Sequence, residues 1–126
     1  MKLSAFLGLA GVLGILFGLE FLLIPDVALA QYGVPTEPHN LMQSRFFGST
    51  LLSFGLVLWL ARGAQDAAVQ RALLIASVVG NLVGLVLSLW SRFSGLQGIL
   101  AWLSVGIYGA LLLGSLYFLL RPGRRT

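Results

Sequence analysis

The chain contains no cysteine, so it can form no disulfide, hold no metal through thiolates and use no thiol as a nucleophile. It has one histidine, His39, and four acidic residues, Glu20, Asp26, Glu37 and Asp66. A zinc centre needs three or four converging ligands, and a serine triad needs its nucleophile on a diagnostic turn. Neither set can be put together from these residues. No glycine pattern follows a strand in the way that cradles a phosphate. Charged residues make up only 10% of the 126, against roughly 25% in a soluble domain, so a polar exterior cannot be built. The net charge of +4 is not carried by runs of Lys and Arg interleaved with aromatics outside the apolar stretches, which excludes nucleic acid as a partner.

What is present is apolar sequence, 58% of the chain. Lipid accepts an apolar exterior without penalty, and the composition is that of a membrane domain. Four apolar runs are long enough to cross a bilayer: 3–24, 46–62, 69–91 and 97–120, with the second drawing on a polar lead-in that starts near Pro38. The connections after the second and third runs are too short for anything but antiparallel neighbours. The expected fold is therefore all-α, a single transmembrane domain over 1–126 built as a four-helix up-down-up-down bundle.

The stretch LLIPDVALAQYGVP, residues 22–35, raises a second possibility, because Ala28-Leu29-Ala30 beyond a proline resembles a signal-peptidase site. The preceding apolar run is longer than the roughly 7–15 residues of a signal core and carries Glu20, so the stretch reads instead as part of an outside loop, 25–45. Within that loop DVALAQY is long enough for one or two interfacial helical turns, ended by Gly33 and Pro35. Thr36 or Glu37 can cap the next helix with Pro38 in its first turn, and Asp66 can cap the third span.

Lys and Arg set the orientation. With both termini in the cytoplasm, Lys2, Arg62, Arg71, Arg121, Arg124 and Arg125 lie inside, and Arg45 and Arg92 outside. The expected location is a cell membrane, crossed four times, with the long loop outside. Trp59, Trp90 and Trp102 read as anchors at the membrane surface.

Ionisable residues inside a membrane are costly, on the order of 2.5–3.5 kcal/mol at the centre, and Glu20 needs a reason. Three are open: an ion pair with Arg45, a reach to the headgroups, or a proton-handling site. Small and polar residues on the third span, among them Gly80, Asn81 and Gly84, recur every three or four positions and form a packing stripe. Gln97 and Tyr108 lie on a similar face of the fourth span. If these faces leave space, it is a small polar pocket walled by Glu20, Arg45, Asn81, Gln97 and Tyr108 beneath the loop bearing His39. Otherwise the serines bond their own carbonyls and Asn81 joins helices. Gly8, Gly11, Gly14 and Gly18 form a stripe on the first span, with Glu20 on roughly the opposite side at 100° per residue. That stripe wants a close neighbour, within the bundle or on another polypeptide.

The segments RFFGSTLLSFGLVLWLAR, RALLIASVVGNLVGLV and AWLSVGIYGALLLGSLYFLL give the chain its likeness. It resembles small bacterial four-helix membrane proteins of the DoxX-like kind, through Arg-Phe-Phe-Gly at Arg45–Gly48 and Gly-Asn-x-x-Gly at Gly80–Gly84. The resemblance implies a four-helix bundle in the bacterial inner membrane, mostly of unknown function. Some members are linked to quinone or sulfur redox systems, and no site residues carry over. A glutamate in the first span also invites comparison with the small multidrug resistance exporters, but theirs lies deeper and their loop charges are balanced.

These readings converge on a polytopic membrane protein without catalysis of its own, needing no cofactor or metal. It acts as an accessory subunit, or binds a small amphiphile. Its expected partners are membrane lipid and a second copy or another membrane protein. The alternatives are a proton-coupled small-molecule transporter that uses Glu20, and a membrane-embedded enzyme.

Overall fold

The computed structural model describes residues 2–93, 95 and 98–121, and it is all-helical. Five helices follow in order: α1 Leu3–Leu23, α2 Pro25–Tyr32, α3 Pro38–Leu60, α4 Ala67–Phe93 and α5 Ile99–Leu119. Four of them, all but α2, carry spans long and apolar enough to cross a membrane. The break after α1 comes from Pro25: Ile24 leaves helical geometry at φ −131° and ψ 59°, and the proline then takes the first position of α2, where its missing N–H costs nothing. Gly33 ends α2 in the left-handed region at φ 74°, with its N–H on the Ala30 carbonyl and the Val34 N–H on Leu29, the paired closure that glycine permits. Segment 25–45, read from sequence as a loop, thus holds α2 and the first two turns of α3. Asp66 caps α4 by accepting from the Ala68 N–H at 2.8 Å.

Backbone contacts concentrate in two helix pairs, α1 with α3 and α4 with α5. In the first pair glycine meets glycine. A β-carbon on Gly11 would sit 2.8 Å from the Gly55 carbonyl oxygen, and one on Gly48 would sit 2.6 Å from the Gly18 oxygen. Rising numbers on α1 meet falling numbers on α3, so the two run antiparallel. Apolar burial gives helices little reason to associate in lipid, and close backbone approach supplies van der Waals contact in its place. The glycine stripe of α1 is filled by α3, within the same chain.

The pairs come together at one end. Leu3, Phe6 and Leu7 of α1, Leu58 of α3, Leu73 and Leu74 of α4 and Phe118 of α5 form a buried cluster. The Phe6 and Phe118 rings lie 5.4 Å apart, and Phe6 also covers Gly114. At the opposite end α2 lies across the bundle. Gly98, which leads into α5, packs so closely on the Gln31 carbonyl that no β-carbon would fit.

Candidate functional site

Between the cluster at one end and α2 at the other, the two helix pairs stand apart and enclose a chamber. Its volume is about 100 Å³, or about 750 Å³ with the part that opens to the surroundings. The wall supplied by α1 and α3 is aromatic: Phe6, Phe17, Phe21, Phe47 and Phe54 line it. The facing wall is mixed. From α4 come Ser77 and Asn81, and from α5 Ser104, Tyr108 and Ser115 between Leu103, Ile107 and Leu111. Helical spacing explains this division, because Ser77 and Asn81, like Ser104 and Tyr108, are successive i, i+4 neighbours on one face.

Tyr32 of α2 forms part of the lining at the α2 end, and its hydroxyl lies 2.5 Å from that of Ser104. Phe21 packs beside Tyr32 with ring centroids 5.7 Å apart, and Phe47 meets Phe21 edge-on at 5.0 Å. Burial pushes the Tyr32 phenol above its ordinary pKa; the Ser104 bond opposes this, and the Glu20 charge adds to it. The phenol therefore stays protonated at neutral pH. Phe47, Phe54 and Leu103 line the chamber yet are 44%, 36% and 46% exposed on the outside, so the chamber is reached from the side of the bundle.

The polar groups of the mixed wall are not equally satisfied. Ser115 donates to the Leu111 carbonyl of its own helix at 2.7 Å, and Ser104 is taken by Tyr32. Among the described residues neither the Asn81 amide nor the Tyr108 hydroxyl has a hydrogen-bond partner. The Tyr108 ring packs against Gly84, whose missing side chain makes room for it.

Of the residues singled out from sequence, Asn81 and Tyr108 are brought together on this wall. Glu20 and Arg45 are not part of the lining and form no salt bridge. The Glu20 Oε1 is buried without a hydrogen-bond partner, and Arg45 is exposed. The reason is rotational: Glu20 points away from the glycine stripe, and the helix carrying Arg45 packs on that stripe. Gln97 lies outside the described residues. His39 is exposed and, among the described residues, pairs with Glu37 at 3.5 Å, and it is Tyr32 of α2, not His39, that lines the chamber. Gly11, Gly14, Gly18 and Gly84 each make close contacts, whereas Gly80 faces open space. Sequence reasoning missed the phenylalanines of the aromatic wall and Tyr32. A signal existed for the former, since Phe6, Phe17 and Phe21 keep to one side of α1, but in an apolar span they do not stand out from lipid-facing residues.

No curated protein and no solved structure matches this chain. A family model, described as a domain of unknown function (DUF8292), matches residues 9–126, and the chain belongs to that family.

Proposed function

We propose that the protein is a binding protein for a small amphiphile, held in the chamber, with no turnover of its own. The observation that carries this reading is the pair of unpartnered polar groups, Asn81 and Tyr108, facing an aromatic wall. Both residues are half-buried and face a chamber in an apolar bundle, where hydrocarbon offers an amide or hydroxyl no partner, and a ligand head group that donates and accepts supplies one. The body of the ligand then stacks on Phe17, Phe21 and Phe54. The volume suits one ring or a short chain with a compact head, and the side opening lets such a molecule enter from the lipid.

The test is mass spectrometry of what remains bound after mild detergent extraction. Ile107→Trp fills the chamber and is expected to abolish the bound species. Asn81→Leu removes the polar contact and is expected to weaken retention roughly five- to tenfold. Equal retention by wild type and both variants would place any bound molecule elsewhere.

A second reading is favoured by the buried, unpartnered Glu20 oxygen: proton-coupled movement of the same class of ligand. In both readings the four spans run up-down-up-down with both termini in the cytoplasm, as the distribution of Lys and Arg supports. An impermeant thiol reagent applied from outside is expected to label Thr36→Cys and to spare Gln65→Cys, both exposed positions in connections at opposite ends of α3. Equal labelling of the two would mean insertion in both orientations.

A further inference from the structure

A second concavity lies on the outside of the α1–α3 pair and shares no residue with the chamber. This groove, about 380 Å³, has Ala5, Leu9 and Val12 along it and owes its depth to Gly8, where a β-carbon would already press on the Arg62 side chain at 3.3 Å. Ser4, Trp59 and Arg62 complete it. The Arg62 guanidinium is held in place. It lies over the Trp59 ring, 3.8 Å from the centroid, and Nη1 donates to the Trp59 carbonyl at 2.5 Å.

A guanidinium has five N–H donors, and most of those on Arg62 remain available. Among the described residues no carboxylate pairs with it. Asp66, the one acid in the same connection, is occupied by the N–H groups of Ala68 and Val69. Apart from Asp66 the charges of the described residues at this end are positive: Lys2, Arg71 and Arg121 belong to it, as the shared cluster of Leu3, Leu73 and Phe118 shows. A fixed cation with free donors at the mouth of an apolar groove, at the end of a membrane-spanning helix, is complementary to a molecule with an anionic head and an alkyl chain.

We propose that this groove is a site for an acidic phospholipid, with its phosphate on Arg62 and Ser4 and one acyl chain along Ala5, Leu9 and Val12. The site depends on the chain spanning a membrane and is independent of what the chamber holds. Stacking on Trp59 pre-organises the guanidinium, so binding loses less side-chain freedom than it would for a free surface arginine.

The experiment titrates the purified, delipidated full-length protein with phosphatidylglycerol or with phosphatidylcholine of matched chains, read by native mass spectrometry. One phosphatidylglycerol per chain is expected to be retained in preference to phosphatidylcholine. Arg62→Gln is expected to reduce that retention at least about fivefold, the weight of one basic residue at a membrane surface. Arg121→Gln makes the same change in net charge just beyond α5 and is expected to alter retention by less than about twofold. Gly8→Leu, which fills the groove, is expected to lower retention of both lipids. Should Gly8→Leu fail to fold, the contrast between the two arginine variants decides. Equal losses in those variants would reduce the effect to general attraction and overturn the site. So would the absence of any phosphatidylglycerol preference, or a dimer that Gly8→Leu dissociates while lipid retention stays the same.

Discussion

Replacing Gly18 by alanine is expected to destabilise the bundle by about 3 kcal/mol, while the same change at Gly80 leaves it unchanged or stabilises it by up to about 1 kcal/mol. The sign is decided by what surrounds each glycine. A methyl group on Gly18 would lie 2.6 Å from the Leu52 nitrogen and 2.9 Å from the Gly48 oxygen. Both atoms are backbone, so neither can rotate aside, and α3 has to move outward as a rigid rod. That movement loosens the Gly11–Gly55 contact as well, about two turns away. At Gly80 nothing lies within 4 Å, and alanine contributes only its better helix propensity. Gly48→Ala is expected to behave like Gly18→Ala. The double variant should cost less than the sum of the two, because one separation of the helices relieves both clashes. Thermal unfolding in a single detergent measures all four proteins, and matching midpoints for Gly18→Ala and Gly80→Ala would show that α1 and α3 do not touch as described.

Both glycines stood out in the sequence for the same reason, small residues at helical spacing, and only the structure separates them. Spacing shows which residues share a face of one helix; it does not show which neighbour that face receives. The four long apolar helices were legible because length and hydrophobicity set them, as were the local punctuation marks at Gly33, Pro38 and Asp66, which act within a few residues. The chamber was half legible. Asn81 and Tyr108 drew attention as polar groups in apolar helices, and both lie on its wall. The aromatic wall was hidden because, in a chain meant for lipid, phenylalanine is at home on either side of a helix. Tyr32 was hidden for another reason. Its place over the chamber depends on α2 folding back across the bundle to meet Ser104, a contact between residues far apart in the chain.

Of the three readings open for Glu20, the ion pair with Arg45 is the one the structure does not form, and the helical wheel gives the reason. Glu20 falls opposite Gly11, Gly14 and Gly18, and those glycines receive α3. A residue on the far side of α1 cannot meet Arg45 of α3, even though both lie near the same end of the bundle. Matching depth does not bring two side chains together. Rotation about the helix axis governs the contact.

Glu20→Gln is therefore expected to leave stability unchanged or raise it by up to about 1 kcal/mol, since the amide keeps the shape of the side chain and gives up no hydrogen-bond partner, one oxygen being buried without a donor. An ion pair with Arg45 would give the opposite sign, because the amide would leave a cation at membrane depth with a weaker acceptor. The double-mutant cycle of Glu20→Gln with Arg45→Gln is expected to show coupling within about 0.5 kcal/mol of zero, as for residues with no shared partner. Coupling above about 1 kcal/mol would restore the ion pair and require α1 to rotate relative to α3. The same variant also decides between the two readings of the chamber. A simple binding protein keeps its amphiphile, and its stabilisation by that amphiphile, when Glu20 becomes an amide. A proton-coupled carrier keeps the fold and the ligand but loses pH-driven uptake in liposomes, because an amide cannot titrate. Wild-type uptake that follows a pH gradient and vanishes in Glu20→Gln, with ligand retention intact, would replace binding by transport; no uptake in either protein, with ligand retained in both, would leave Glu20 without a part in transport and the chamber as a site for holding its ligand.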